Sequence, residues 1–124
     1  MSWRWVDKRL LLILHDESLA LHGGASGMRD EGLLDSALAR PLNLVAHGSP
    51  DLADLAAAYA VAIAQDHCFN DGNKRTAFRA MNAVMAMNGV QMTYDTEAIG
   101  QTIIRAAQGA IEAGDLADWL RARA

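Results

Sequence analysis

The chain has 124 residues, a formal net charge of −4 and a single cysteine. This length fits one buried core, so we expect a single domain over residues 1–124. The net negative charge and the lack of a run of basic residues argue against a nucleic-acid partner. A single cysteine excludes an internal disulfide and favours a reducing, cytoplasmic location. The apolar run at residues 10–14 is shorter than the roughly 20 residues of a membrane span. No cleavage site follows it, so we expect neither a membrane partner nor a signal peptide.

The N-terminal part of the chain predicts a short strand and a first helix. Residues 3–6 alternate weakly in polarity and could pair, as a strand, with residues 90–94. Asp7 fits the N-cap of a helix that runs to about Leu21 and ends at the following glycines. Its predicted inward face consists of Leu10, Leu11, Leu14 and Leu21.

His15 and Asp16 stand in the middle of this first helix. Such a doublet also occurs as the metal-binding pair of HD-type phosphohydrolases, but that site needs another histidine upstream. None of the fourteen preceding residues is histidine. We therefore expect His15 to be packed or hydrogen-bonded near the core.

Residues 22–32 form a glycine-studded loop, which predicts a connector. Asp30 fits the N-cap of a short helix after it, and we expect Pro41 to end that helix. The predicted inward side chains of this helix are Leu33, Leu34, Ala37 and Leu38.

Two long helices follow, one from about Asp51 to Gln65 and one from about Asn73 to Asn88. Ser49-Pro50-Asp51 predicts the start of the first, with Ser49 as N-cap. Both helices carry apolar or small residues on nearly every face, so we expect both to be buried. Two shorter helices, capped by Asp95 and Asp115, complete a predicted all-α bundle of six helices with at most one tiny β pairing.

The stretch between the two long helices, residues 67–75, carries the chemistry. Gly72 favours a turn, and a helix that starts after it presents unpaired N–H groups and the positive end of its dipole, which together bind phosphate. His67 has the chemistry of a general base, and Asp71 that of a ligand for Mg²⁺. The remaining candidates, for phosphate binding and for stabilising charge on the transferring group, are Gly72, Asn73, Lys74 and Arg75. Each residue alone has an ordinary structural explanation; together they predict phosphoryl or nucleotidyl transfer.

These residues resemble the signature of the Fic/Doc family, His-x-Phe-x-Asp/Glu-Gly/Ala-Asn-Gly/Lys-Arg, at all seven specified positions. Lys74 stands where most Fic proteins carry glycine and marks the Doc branch, whereas Cys68 stands where proline is usual. A second stretch also resembles the Doc branch: Leu14-His15-Asp16, Gly23-Gly24, Gly27-Met28-Arg29-Asp30 and Leu34-x-Ser36-Ala37.

The resemblance implies a Fic-like helical fold and a Doc-type toxin that uses ATP and Mg²⁺. Such a toxin acts as a protein kinase on a translation factor, elongation factor Tu, and the glycine-studded loop acts as a flap over the site. Lys74 would crowd an α-phosphate at the transfer position, which favours transfer of the γ-phosphate. Two alternatives remain: a Fic-type adenylyl transferase and a non-enzymatic helical binding module.

Control of the site is expected to come from a second protein. Fic proteins are commonly inhibited by a helix with the pattern Ser/Thr-x-x-x-Glu-Gly/Asn. Thr93 and Glu97 come close to this pattern, but Ala98 follows. The resemblance then implies a Phd-type antitoxin whose C-terminal helix binds near the motif. We expect the groove for it on the first helices, at Leu11, Leu12, Leu19 and Trp3 or Trp5.

Overall fold

A computed structural model describes residues 3–123 of the chain. Within this range the backbone forms six helices: α1 (Lys8–His22), α2 (Glu31–His47), α3 (Leu52–Asp66), α4 (Asn73–Met87), α5 (Thr96–Ala107) and α6 (Ala113–Arg121). The strand-like pairing in the described range is an isolated antiparallel bridge between Met28 and Phe69. The predicted all-α class is therefore confirmed.

Helix α3 is the centre of the bundle, because α2, α4, α5 and α6 all pack against it. Most of its side chains are buried, and many of these are alanines, which let the neighbouring backbones approach closely. Helix α4 lies along α3 and buries Met81 and Met85, so these methionines fill the core as expected. The loop between α3 and α4 is therefore held at both ends by buried helices, which gives a site on it a rigid frame.

The strand predicted for residues 3–6, and its pairing with residues 90–94, are wrong, because both segments are irregular. Side chains bind the N-terminal backbone instead. The Asn88 amide accepts the N–H of Arg4 and donates to its carbonyl, each at 2.9 Å. The Tyr59 hydroxyl makes the same pair of bonds to Val6 at 3.1 Å. These bonds satisfy peptide groups that a second strand would otherwise have to satisfy.

Helix α2 does not end at Pro41 but continues to His47. A proline inside a helix removes one backbone hydrogen bond. Here the proline side chain is buried in a helix that packs against α3, and this burial offsets the missing bond. Leu21, predicted to face inward on α1, is 69% exposed.

Two predicted helix caps are also wrong. Helix α3 is capped by Asp51 and not by Ser49: the Asp51 carboxylate accepts the N–H of Asp54 at 2.9 Å, and the Asp54 carboxylate accepts the N–H of Asp51 at 3.0 Å. Helix α6 begins after Glu112, and Asp115 lies within its first turn. Among the described helices none is long and apolar enough to cross a membrane.

Candidate active site at the start of helix α4

Two loops meet at the N-terminus of α4: the glycine loop, residues 23–30, and the motif loop, residues 67–72. They run antiparallel. The N–H of Arg29 donates to the carbonyl of Cys68 at 2.8 Å, and the N–H of Asn70 donates to the carbonyl of Gly27 at 3.1 Å. The two stretches of interest in the sequence therefore form one structural unit.

Phe69 anchors the motif loop in the core, with only 2% of its surface exposed. Its ring stacks on the ring of His15, with 3.7 Å between centroids and 8° between planes. Its backbone N–H and carbonyl both bond to the Asn73 side chain. The sequence predicts that Asn73 contacts phosphate, but its side-chain amide is bonded within the loop. The backbone N–H of Asn73 remains for a ligand.

His67 is exposed and ends α3 in the left-handed conformation, with φ 49° and ψ 47°. Among the described residues it is the one non-glycine with positive φ, a conformation that costs roughly 1–2 kcal/mol. Arg29 holds it there by donating from Nε to the His67 carbonyl at 2.6 Å and from Nη2 to the Asp66 carbonyl at 3.3 Å. The Asp66 carboxylate is in turn paired with Arg40 at 2.7 Å. The backbone of the predicted base is thus clamped while its imidazole stays accessible.

The Asp71 carboxylate has a fixed orientation. Oδ1 accepts the N–H of Gly72 at 2.8 Å, and Oδ2 accepts the N–H of Ala25, on the glycine loop, at 3.2 Å. These two bonds, and the nearby Arg75, lower the pKa of Asp71 below its usual range, so the group is ionised near neutral pH. A Cβ at position 24 would lie 2.7 Å from Asp71 Oδ2, so a larger residue there would displace the carboxylate.

The N-terminus of α4 is open. Gly72 occupies the N-cap position with φ 76°, and no side chain caps this helix. By contrast, an aspartate side chain caps each of α1, α2, α3 and α5. The first-turn N–H groups of α4 therefore have no carboxylate acceptor, which leaves them available to an anion.

Two cations flank this open terminus. Lys74 is exposed. Arg75 is half-buried and donates from Nη2 to the carbonyl of Gly23 at 3.1 Å. Its Nε is buried and has no acceptor among the described residues. A buried donor without an acceptor is costly, so this guanidinium is suited to an incoming oxyanion.

All six predicted site residues line one cavity of about 340 Å³, together with Asn70. A second, apolar cavity of about 720 Å³ lies beside it, between α4 and α5, and shares Lys74 and Arg75 with the first. Within the described residues no three His, Cys, Asp or Glu side chains cluster as a ready-made metal site.

Sequence reasoning gave no role to Ala25, Arg29 or Asn70, all of which build the site. It also placed His15 in the core without its partner in the motif loop. Arg29 and Ala25 lie 38 and 46 residues away from the residues they bind. Neither contact produces a local pattern of spacing that could have revealed it.

Comparison with known proteins identifies the family of this chain. A sequence model of the Fic/DOC family matches residues 5–85, a range that includes both loops. The chain is similar to a protein named protein kinase doc, of Escherichia phage P1, with 36% identity over 119 residues that cover 95% of this chain and 94% of that protein. It is also similar to a protein named Toxin Doc, of Mycolicibacterium smegmatis, with 45% identity over 75 residues that cover 59% of this chain and 58% of that protein.

Proposed function

The chain belongs to the Fic/DOC family, and we propose that it is a Doc-type toxin acting as a protein kinase. It transfers the γ-phosphate of ATP to a serine or threonine hydroxyl of a translation factor, and so stops translation and growth in the cytoplasm. Elongation factor Tu is the target implied by the family resemblance. The observation that carries the proposal is the single cavity that joins the exposed His67 imidazole to the uncapped start of α4.

The phosphates of ATP bind at the start of α4. Backbone N–H groups of Asn73, Lys74 and Arg75 point out of the first turn, where the helix dipole favours negative charge. The unpartnered Nε of Arg75 adds a charged donor. Lys74 adds an exposed cation at the same edge. Together these groups stabilise the charge that develops on the transferring group, which is the main requirement of phosphoryl transfer.

Asp71 is suited to hold Mg²⁺. The carboxylate is ionised, and each oxygen accepts only one N–H, so each keeps a lone pair for a metal. Mg²⁺ commonly takes one or two carboxylates and completes its shell with phosphate oxygens and water. When bound, the ion neutralises charge on the phosphates. The protein's part is to hold the carboxylate in place, through Gly72 and Ala25.

His67 acts as the base. Its imidazole takes the proton of the attacking hydroxyl while the hydroxyl oxygen bonds to the γ-phosphorus. The bond between that phosphorus and the bridging oxygen breaks, and ADP leaves. A positioned base typically contributes about 10²–10⁴-fold to such a step. The hydrogen bond from Arg29 to the His67 carbonyl holds the backbone that carries the base.

Lys74 favours the γ-phosphate over the α-phosphate. A nucleotidyl transferase needs the α-phosphate close to the backbone at this point, which glycine permits. Lys74 lines both cavities, so its side chain would crowd an α-phosphate at this point. Nucleotide bound in the opposite direction presents its γ-phosphate to His67 instead.

The apolar cavity between α4 and α5 supports a site for a Phd-type antitoxin. It is lined by apolar side chains such as Phe78, Ile99 and Ile104, with Arg75 and Arg79 at its polar edge. An amphipathic acidic helix fits this combination. The antitoxin groove predicted from the sequence on the first helices is wrong in part, because Leu11 is fully buried and cannot line a groove.

The test is incubation of the chain with a translation extract and ATP labelled separately at the α- and γ-phosphates. We expect covalent label on a protein only from the γ position. Label only from the α position would instead identify an adenylyl transferase, and label from neither position would favour a binding module.

A further inference from the structure

We propose that His15 is a positioning residue for the active site: its Nε2–H fixes the Asp71–Gly72 peptide and thereby aims the Asp71 carboxylate. The inference deepens the proposed function and rests on it for the role of Asp71. His15 lies on α1, 56 residues away from Asp71 in the chain, and its Nε2 is 2.8 Å from the Asp71 carbonyl oxygen. Its side chain is almost fully buried, with 3% exposed.

The direction of this hydrogen bond is determined by its acceptor. A carbonyl oxygen cannot donate, so Nε2 must carry the hydrogen. The other ring nitrogen, Nδ1, is 4.0 Å from the Asp16 carboxylate, which is too long for a hydrogen bond. Among the described groups, the Asp71 carbonyl is therefore the hydrogen-bond partner of the His15 ring.

The effect reaches the carboxylate through one rigid peptide. In a planar trans peptide the carbonyl and the N–H point in opposite directions. When His15 fixes the Asp71 carbonyl, it also fixes the Gly72 N–H on the far side. That N–H donates to Asp71 Oδ1 at 2.8 Å. Gly72 is also the N-cap of α4, so the same bond sets the start of the phosphate-binding turn.

His15 also packs, because its ring stacks on Phe69. A purely structural residue would act through this stacking, whereas a positioning residue acts through its N–H. Two substitutions separate the two roles. His15→Phe keeps an aromatic ring on Phe69 and removes the donor. His15→Gln removes the ring and keeps an N–H donor with a similar reach.

Leu11→Val serves as the matched control. Leu11 lies one turn earlier on α1 and is fully buried. Its truncation costs stability, by roughly 0.5–1.5 kcal/mol if it behaves like comparable core truncations. The Leu11 side chain makes no hydrogen bond to the motif loop, so this variant shows how a loss of stability alone changes the measurements.

Two readouts are compared with wild type. The first is the rate of hydrogen exchange of the Gly72 amide, which donates to Asp71 Oδ1, in metal-free protein without nucleotide. The second is the Mg²⁺ concentration that gives half-maximal transfer of label from ATP. We expect His15→Phe to raise both the amide exchange rate and the half-maximal Mg²⁺ concentration by roughly threefold to tenfold. This is the range for one lost hydrogen bond. We expect His15→Gln to melt at a lower temperature and yet to stay within about twofold of wild type in both, because it keeps the donor.

The inference is overturned if His15→Phe matches wild type in both readouts. It is also overturned if His15→Gln is impaired as much as His15→Phe while Leu11→Val is not, since ring packing would then be the cause. Failure of the proposed function gives a different result: wild type would transfer no label from the γ-phosphate. The amide exchange of metal-free protein still decides the role of His15 in that case.

Discussion

The Asn73 side chain holds the peptide groups of Phe69 on both sides: its Oδ1 accepts the Phe69 N–H and its Nδ2 donates to the Phe69 carbonyl, each at 3.0 Å. An amide is the side-chain group that can make both bonds at once, because it has a donor and an acceptor side by side. The bond pair closes the motif loop over the start of α4, and Asn73 is the first residue of that helix.

We expect Asn73→Asp to be more stable than Asn73→Ala but to bind ATP more weakly. Aspartate keeps the acceptor for the Phe69 N–H and suits a helix N-terminus, so its melting temperature should lie nearer to wild type than that of the alanine variant. Its added charge, however, repels phosphate, so ATP affinity should be lower than in the alanine variant. Thermal melting and calorimetric titration with ATP measure the two effects. If Asn73→Asp bound ATP as tightly as wild type, phosphate would not bind at the start of α4.

His67→Ala is expected to abolish toxicity and to lower transfer by about 10²–10⁴-fold, because the imidazole takes the proton in the reaction. The fold should survive, since the His67 side chain is exposed. His67→Asn is the better-matched variant, because asparagine tolerates the left-handed backbone at this position. Growth arrest on expression is compared with thermal melting. Toxicity that persists in both variants would exclude His67 from the mechanism, whereas a collapsed melt would make it a structural residue.

The neighbouring glycines, Gly23 and Gly24, provide a paired test of the Asp71 orientation. Both have positive φ, so alanine is strained at either position. Only at position 24 does the added Cβ meet Asp71 Oδ2, at 2.7 Å; at position 23 nothing lies within 4 Å. We expect Gly24→Ala to raise the Mg²⁺ concentration needed for activity well above that of Gly23→Ala, at similar melting temperatures. An equal Mg²⁺ requirement in the two variants would show that the glycine loop does not determine the position of the carboxylate.

The antitoxin prediction is tested on two exposed apolar residues. Ile104 lines the cavity between α4 and α5 and is 43% exposed, whereas Leu42 lies on α2 and is 51% exposed. We expect Ile104→Glu to abolish neutralisation by an antitoxin encoded beside this chain, because an acidic helix would meet a new negative charge. Leu42→Glu should remain neutralised. Growth is measured with each variant expressed alone and with the neighbouring reading frame. Neutralisation of both variants would place the partner elsewhere.

That the candidate site residues lie together could be predicted from the sequence because they are adjacent in it. His67 through Arg75 form one continuous stretch, and a loop between two buried helices brings them together wherever the rest of the chain lies. The helical spacing of apolar residues likewise predicted α3 and α4 closely. Helix α3 is apolar or small on nearly every face, whereas α4 carries a polar stripe of Arg75, Arg79 and Asn82.

The supporting residues could not be predicted, because their partners are far along the chain. The bonds from Arg29 to His67, from Ala25 to Asp71 and from His15 to Asp71 depend on how α1 and the glycine loop pack. The N-cap of α3 was predicted wrongly for a different reason, because two residues near its start both suit that position. Ser49 and Asp51 both suit an N-cap, and the reciprocal bond with Asp54, seen only in three dimensions, favours Asp51.

The most direct measurement is the mass of purified elongation factor Tu after incubation with ATP, Mg²⁺ and this chain. We expect the mass to increase by one phosphate group with wild type. We expect no increase with His67→Ala, and a lower yield with Lys74→Gly, because Lys74 stabilises the transferring phosphate and excludes the orientation that places the α-phosphate at the transfer position. An increase by one AMP group, or a Lys74→Gly variant that phosphorylates as well as wild type, would contradict γ-phosphate transfer controlled by Lys74.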